Sequence, residues 1–210
     1  MIPKIIHLCW LSGDAYPTKI AKCLKSWEKY LPDYEIMLWD TKRFDMATSI
    51  WVRQAFEHKK YAFAADYIRF YALYHYGGSY LDSDVEVLKS FDDLLDLPYF
   101  IGAEKAQTPE AAIIGAEKGC DWIKQCLDYY QDRSFVKTDG TLDIRKLPEI
   151  MDEQISLLKP LRVLPLKESL SIHLMDMKSE VLVLNDAFFS PKVFDSREVE
   201  ITSYTYAIHH

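Results

Sequence analysis

The first forty residues contain two short apolar runs separated by a helical pattern. Residues 4–10 are mostly β-branched and aromatic and end at a polar loop, which predicts a buried strand. From Pro17 to Leu31 apolar residues recur every three or four positions, which predicts a helix with proline in its first turn. Residues 34–40 predict a second strand. This order indicates a parallel β-α-β unit, so the first candidate is a nucleotide-binding α/β sheet.

The rest of the chain continues this mixture. Residues 62–76 contain no helix breaker and precede Gly77, which predicts a helix with a glycine cap. A strand is expected next, leaving the core at Asp82. Further elements are predicted as strands at residues 99–103, 112–114, 161–164, 181–184 and 204–208, and as helices at 120–130 and 147–158. We find no internal repeat or linker, so residues 1–210 are predicted to form one mixed α/β domain.

Composition narrows the classes of partner. The chain has 49% hydrophobic and 27% charged residues, the balance of a globular protein. Its net charge of −7 argues against nucleic acid, and against any polyanion unless a cation brings positive charge to the site. The N-terminal segment lacks the pattern of a signal peptide, and the four cysteines show no CxxC spacing. A reduced, cytoplasmic protein is therefore expected.

Two carboxylates stand out because of their setting. Asp82 and Asp84 directly follow an apolar strand that is itself preceded by two glycines. In extended backbone both carboxylates would point to the same side, where their oxygens suit Mg²⁺ or Mn²⁺. The spacing alone is weak, since about one or two Asp-x-Asp pairs are expected by chance. A solvated turn is the alternative.

Two more charged residues lie on the predicted helix before this strand. Asp66 and Arg69 are three positions apart and share a helix face. Taken alone, they indicate an intrahelical ion pair, worth a few tenths of a kcal/mol.

Near the chain ends, three residues each allow two interpretations. Trp10 fits the core or a stacking platform, and His7 fits a hydrogen-bonded structural histidine or a ligand. His209 follows a strand-like segment and fits either a frayed end or a metal ligand.

Taken together, five ordered segments resemble glycosyltransferase family 32, the capsular-polysaccharide and mannosyl/galactosyl transferases with a DXD sugar-binding region. The family is also similar in its core to the large glucosylating bacterial toxins. The resemblance is dense from residue 2 to about residue 115 and thin afterwards. The segments are residues 2–7 with Trp10, 39–40, 65–70 with Leu73 and Tyr74, 76–86 and 207–209.

This resemblance implies a GT-A fold, with a donor-binding half at about 1–115 and an acceptor-side half at about 116–210. It implies metal-dependent, retaining transfer from a nucleotide-diphosphate sugar, with a UDP-sugar favoured. The expected acceptor is a polysaccharide or glycolipid of capsule or lipopolysaccharide synthesis, reached at the inner membrane face. Four lysines at helical spacing mark either a solvated face or a peripheral membrane contact: Lys19, Lys22, Lys25 and Lys29.

The resemblance also implies roles for single residues. Asp84 would hold Mn²⁺ or Mg²⁺, and Asp82 would contact the ribose and the water shell of the metal, which makes these two the catalytic pair. His209 would be a third metal or phosphate contact. Asp66 and Arg69 would hold hydroxyls of the donor sugar, and Trp10 would lie near the base. The full expected donor-binding set is His7, Trp10, Asp66, Arg69, Gly77, Gly78 and Asp82.

Two other functions stay open at this point. A phosphohydrolase of the haloacid-dehalogenase type also carries Asp-x-Asp after an apolar strand, and there the first Asp attacks phosphorus. That motif normally lies close to the N-terminus. Here about eighty residues precede Asp82, which argues against this class. A catalytically inactive sugar-nucleotide binder is the second alternative, because function depends on the completed site.

Overall fold

The computed structural model describes residues 1–104, 107–191 and 198–210. Within them, nine strands form: β1 (Ile5–Cys9), β2 (Glu35–Trp39), β3 (Gly78–Leu81), β4 (Val85–Val87), β5 (Tyr99–Ala103), β6 (Pro109–Ala116), β7 (Leu161–Val163), β8 (Val181–Val183) and β9 (Ala207–His209). The α-helices in the same residues are α1 (Thr18–Tyr30), α2 (Ile50–Glu57), α3 (Tyr61–Tyr76), α4 (Asp121–Asp128), α5 (Leu147–Leu158) and α6 (Leu166–Ser169).

Five strands form a mixed central sheet in the order β2-β1-β3-β6-β5. β1 pairs in parallel with β2 and with β3, so the predicted β-α-β unit is confirmed. β6 then runs antiparallel to both β3 and β5. The carboxyl ends of β1 and β3 therefore meet at one edge of the sheet, where open α/β sheets bind ligands.

Two small sheets complete the strand pairing. β7 and β8 are parallel, while β4 and β9 are antiparallel with Val85 opposite His209. The second pairing brings the last residues of the chain back beside the segment that follows β3. Of the predicted strand at residues 204–208, only the end belongs to β9.

The backbone around Asp82 differs from the prediction. β3 ends at Leu81, and residues 82–84 form a turn in which the Val85 N–H donates to the Asp82 carbonyl over 3.0 Å. The chain then enters a different sheet through β4. The expected extended backbone at the two aspartates is therefore wrong, because the chain changes sheets at this point. Helix α2 was not predicted either.

Two side chains of α1 hold the residues that follow this turn. The fully buried Trp27 of α1 donates its indole N–H to the Val85 carbonyl over 2.7 Å. Its neighbour Ser26 accepts a hydrogen bond from the Val87 N–H at 2.8 Å. Helix α1 thus holds β4 in place, and with it the residue that precedes β4, Asp84.

The two glycines join α3 to β3. Gly77 ends the helix at φ 67°, and Gly78 has φ 105°. A Cβ on Gly78 would lie 2.6 Å from the Ile5 carbonyl oxygen of β1, and one on Gly77 would lie 2.7 Å from the Lys118 nitrogen. The absence of a side chain here permits the reversal of the chain and the close approach of β3 to β1.

Candidate active site

A cavity of about 920 Å³ opens beside the carboxyl ends of β1 and β3. Its walls come from the loops after these strands, the first half of α3, the start of β6, the N-terminus of α5, and β9. Among the predicted site residues, those that line it are Trp10, Asp66, Arg69, Asp82, Asp84 and His209.

Three predicted residues lie elsewhere. His7 is fully buried: its Nε2 lies 2.7 Å from the Gly77 carbonyl oxygen, and the Trp39 indole donates to its Nδ1 over 3.1 Å. Burial lowers the pKa of His7 to about 4, although the Gly77 hydrogen bond opposes this shift. His7, Gly77 and Gly78 are not among the cavity-lining residues, and their predicted contact with the donor stays a prediction.

Asp82 is anchored by two donors on one carboxylate oxygen. The Arg69 Nη2 and the Tyr80 hydroxyl each lie 3.1 Å from its Oδ1. Its backbone N–H donates to the Ala112 carbonyl of β6 over 2.9 Å. Burial raises the pKa of Asp82, and the Arg69 charge opposes that rise. The side chain retains 28% exposure. Its position is therefore fixed while part of it remains accessible.

The Arg69 guanidinium binds other groups of the protein. Besides Asp82, its guanidinium donates to the Ala111 carbonyl, lies 3.5 Å from Asp66 Oδ1, and packs 4.4 Å from the Tyr80 ring centroid. Its side chain is 5% exposed. In this structure Arg69 thus positions Asp82, and the predicted contact between Arg69 and a sugar hydroxyl stays a prediction.

Asp66 faces the cavity from α3. Burial raises its pKa to about 7, with the Arg69 charge acting against the rise. The predicted ion pair with Arg69 is present at 3.5 Å, but the Asp66 side chain is 13% exposed and lines the cavity. A carboxylate in this position can accept hydrogen bonds from a bound sugar.

Asp84 and His209 face each other across β4 and β9. The His209 Nε2 lies 3.5 Å from Asp84 Oδ1, and both side chains are about one-third exposed, at 29% and 32% respectively. On its other side, the His209 Nδ1 lies 3.1 Å from Glu110 Oε1. Burial acts to lower the pKa of His209, but the hydrogen bond and charge of Glu110, with Asp82 and Asp84, raise it overall.

The sequence-based prediction missed Glu110. It belongs to β6, in which every residue is buried, and it is itself 2% exposed. Burial acts to raise its pKa, but its hydrogen bond to His209 and the His209 charge lower it overall. The available signal was an isolated acid directly before the apolar run at residues 111–114.

Trp10 forms an aromatic wall of the cavity. Its backbone N–H donates to the Trp39 carbonyl over 2.9 Å, which extends β1 toward the cavity. Its indole N–H donates to the Asp14 carbonyl over 2.8 Å, and its ring centroid lies 4.9 Å from that of Tyr16. Trp10 is partly exposed, so the core alternative does not apply.

A second part of the cavity wall was also missed by the sequence-based prediction. It contains Tyr61 and Phe63 from α3 and residues 146–149 at the start of α5. The helix at residues 147–158 was predicted, but its spatial relation to α3 depends on packing that the local pattern does not specify. The cavity is therefore lined by residues from both halves of the chain.

The carboxylate and imidazole groups of the cavity suit a divalent cation that is bound together with a substrate. Within the described residues there is no group of three or more His, Cys, Asp or Glu placed to enclose a metal. Asp84 and His209 nevertheless present an oxygen and a nitrogen 3.5 Å apart, with Asp82 two residues away. Mg²⁺-type ions commonly use one or two carboxylates and complete their shell with water and phosphate oxygens. The residues present fit such an ion.

Comparison with known proteins agrees with this geometry. Residues 17–101 match a family described as the glycosyltransferase sugar-binding region containing a DXD motif. This segment is similar to the DXD glycosyltransferases. The match includes Asp66, Arg69, Asp82 and Asp84, and it confirms the resemblance inferred from the sequence.

A named relative is similar to more than half of the chain. The chain is 34% identical over 128 residues to inositol phosphoceramide mannosyltransferase 3 of Schizosaccharomyces pombe, a match that covers 59% of this chain and 36% of the relative. A second relative, an uncharacterized glycosyltransferase of Acanthamoeba polyphaga mimivirus, is 31% identical over 154 residues, which cover 69% and 60% of the two chains. The chain thus spans only about a third of the length of the yeast relative.

Solved structures confirm the fold. The galactosyltransferase LgtC, in complex with donor and acceptor sugar analogs, matches with a TM-score of 0.52 and 12% identity, over 98% of this chain and 86% of that one. The PaToxG glycosyltransferase matches with a TM-score of 0.51 and 18% identity, over 82% and 74%. The predicted α/β fold of the GT-A type, with a mixed central sheet flanked by helices, is confirmed, and two small sheets accompany the central one.

Proposed function

We propose that this chain transfers a sugar, with retention of anomeric configuration, from a nucleotide-diphosphate sugar to a glycan or glycolipid. The observation that carries the proposal is the convergence of Asp66, Asp82, Asp84 and His209 on one cavity walled by Trp10. The family match and the glycosyltransferase fold support the same reaction class.

The reaction breaks the bond between the anomeric carbon and the diphosphate, so negative charge develops on the departing phosphate oxygens. A divalent cation, when bound, stabilises that charge as a Lewis acid. We propose Mn²⁺ or Mg²⁺, which Asp84 and His209 would hold. Asp82, held by Arg69 and Tyr80, is positioned to accept from a ribose hydroxyl or from metal-bound water.

The charge of the cavity makes donor binding dependent on the cation. Asp66, Asp82, Asp84 and Glu110 all line it and outnumber the basic residues Arg69 and Lys146, of which Arg69 is already engaged with carboxylates. A diphosphate placed among these acids without a cation would meet like charge. We therefore expect no appreciable donor binding when divalent metal is removed.

For the donor, we keep a UDP-sugar as the first candidate. The relative in Schizosaccharomyces pombe is named a mannosyltransferase, which favours a mannosyl donor such as GDP-mannose as the second. Its name also contains a lipid, inositol phosphoceramide, and this supports a glycolipid acceptor for the present chain.

We also propose a biological setting for the chain. Capsule or lipopolysaccharide synthesis, a cytoplasmic location and contact with the inner membrane face follow from the resemblance. Lys19, Lys22, Lys25 and Lys29 are all exposed on α1, as a peripheral contact would require. Among the described residues, no helix has the length and apolar character needed to cross a membrane.

The two alternatives predict different results. The matched folds are glycosyltransferases, so the fold gives the phosphohydrolase no support. A phosphohydrolase would cleave a simple phosphate ester without releasing sugar from any nucleotide sugar. An inactive binder would bind a donor in the presence of metal but neither hydrolyse nor transfer it.

A thermal-shift panel of nucleotide-diphosphate sugars, with Mn²⁺ or with EDTA, tests the proposal. A donor at one hundred times its dissociation constant adds about 2.7 kcal/mol of stability. We expect a shift for at least one donor with Mn²⁺ and none with EDTA, followed by sugar release or transfer for that donor. Asp84→Asn should abolish the metal-dependent shift. The absence of a shift with every donor would contradict the proposed function.

A further inference from the structure

The hydrogen bond between Glu110 and His209 plays no part in the proposed function. Glu110 is a carboxylate with 2% exposure in an otherwise apolar strand, and burial of a charge in such a place is costly unless it is hydrogen-bonded. Its Oε1 meets the His209 Nδ1 at 3.1 Å and lies 3.3 Å from the Ala112 backbone N–H.

The sheet topology brings Glu110 to this position. β6 pairs antiparallel with β3, with Leu81 opposite Ile113. β3 ends at Leu81, but β6 extends further, so its first residues run beside the turn at residues 82–84. β9 reaches the same turn from the other side, through the pairing of Val85 with His209. Glu110 is therefore the buried group against which the imidazole rests.

An imidazole has two nitrogens, and the hydrogen bond made by one determines what the other can do. Because an ionised carboxylate can only accept, Glu110 favours the ring state in which Nδ1 carries the proton. Nε2 then keeps its lone pair on the side of Asp84, at 3.5 Å from Asp84 Oδ1.

We propose that Glu110 is a positioning residue that orients the His209 ring, so that Nε2 and Asp84 together bind the divalent cation. This proposal depends on the proposed function, since it concerns the cation required there. Outer partners of metal-bound histidines typically change metal affinity by roughly 10- to 100-fold when they are removed. Glu110 would thus control metal affinity without touching the metal or the donor.

The neighbouring residues supply a matched control. Glu86 in β4 and His210, which directly follows β9, form a second Glu–His contact, with 2.9 Å between Oε2 and Nε2. Their side chains are 43% and 30% exposed, and neither residue lines the cavity. Glu86→Ala therefore removes an exposed Glu–His contact close to the same site and should leave Mn²⁺ affinity unchanged.

The test measures Mn²⁺ affinity directly, by calorimetry or by the electron paramagnetic resonance signal of free Mn²⁺, in the presence of a saturating nucleoside diphosphate. We expect Glu110→Ala to weaken Mn²⁺ binding roughly 10- to 100-fold and Glu110→Gln to weaken it less, because Gln can still accept from Nδ1–H. Turnover should return toward the wild-type value at high Mn²⁺ concentration.

A double-mutant cycle separates positioning from a general loss of structure. If Glu110 acts through His209, the double variant Glu110→Ala/His209→Ala should bind Mn²⁺ no more weakly than His209→Ala alone. Additive losses, or unchanged affinity in Glu110→Ala, would overturn the positioning role. If Glu110→Ala keeps its Mn²⁺ affinity but loses turnover that added Mn²⁺ does not restore, the positioning role is overturned and Glu110 acts directly in the chemistry. Lack of Mn²⁺ binding by the wild type itself would instead refute the metal-dependent function.

Discussion

Acid should destabilise this protein through His7. The imidazole is fully buried between the Gly77 carbonyl and the Trp39 indole, and its pKa is lowered by burial from its ordinary value of 6.5 to about 4. In the unfolded chain His7 takes up a proton near pH 6.5, whereas in the folded chain it does so only near pH 4. The unfolded state therefore binds more protons between these values, and stability is lost as the pH falls through this window.

The expected loss follows from the size of the shift. Each unit of pKa difference corresponds to about 1.4 kcal/mol, so the interval from 6.5 to about 4 is worth about 3 kcal/mol. This is a substantial part of the 5–15 kcal/mol that is typical of a folded domain. Protonation also gives both ring nitrogens a hydrogen, so Nδ1 can no longer accept from Trp39.

Urea unfolding followed by tryptophan fluorescence, at several pH values from 7 to 4, measures this effect. The comparison variant is His7→Gln, because glutamine can both donate and accept but does not titrate. Subtracting the two free energies of unfolding cancels the carboxylates that both proteins share. At pH 7 the wild type should be the more stable, and its advantage should shrink by about 3 kcal/mol toward pH 4. A difference that stays constant over this range would refute the reasoning.

Three further predictions concern single side chains. Gly78→Ala should lower the free energy of unfolding by on the order of 1–3 kcal/mol or more, because it combines a positive φ with a Cβ 2.6 Å from the Ile5 oxygen. Thermal unfolding measures this loss, and Gly140→Ala is the control because Gly140 has φ 81° and open space around it. The wild type should lose stability relative to Asp66→Asn as the pH rises from 4 to 8, because the pKa of Asp66 is raised to about 7 and its ionisation disfavours the fold. A difference in melting temperature that stays fixed over this range would contradict this. Trp10→Ala should weaken binding of a nucleoside diphosphate roughly 5- to 150-fold in calorimetry, since stacking of a base on an aromatic ring is worth about 1–3 kcal/mol, while Trp10→Phe should recover part of the loss.

The sequence-based predictions succeeded where local periodicity specifies the structure. The β-α-β unit and the helix that ends at Gly77 were identified correctly, because apolar spacing and the glycine cap are local signals. The sheet to which a strand belongs is not a local property. The change of sheet at residues 82–84 was missed for that reason, and so was Glu110, whose role depends on a residue 99 positions away.

His7 illustrates a second difficulty. A histidine beside a cavity-forming strand fits both a ligand and a structural hydrogen bond, and the side of the strand on which it lies decides between them. Here it points to Gly77 and Trp39. Trp10, three positions later, lines the cavity instead.

The pairing of β4 with β9 also bears on how the site comes into existence. Val85 and His209 pair across more than half of the chain, so their contact contributes to a high contact order and carries a loop-closure cost. A nascent chain can form β1, α1 and β2 well before His209 has been synthesised. A ligand that bridges Asp84 and His209 would favour the docked form of this last strand by mass action. Exposure of residues 198–210 to a protease should therefore decrease when the proposed cation and donor are present, so that docking of β9 depends on the supply of both.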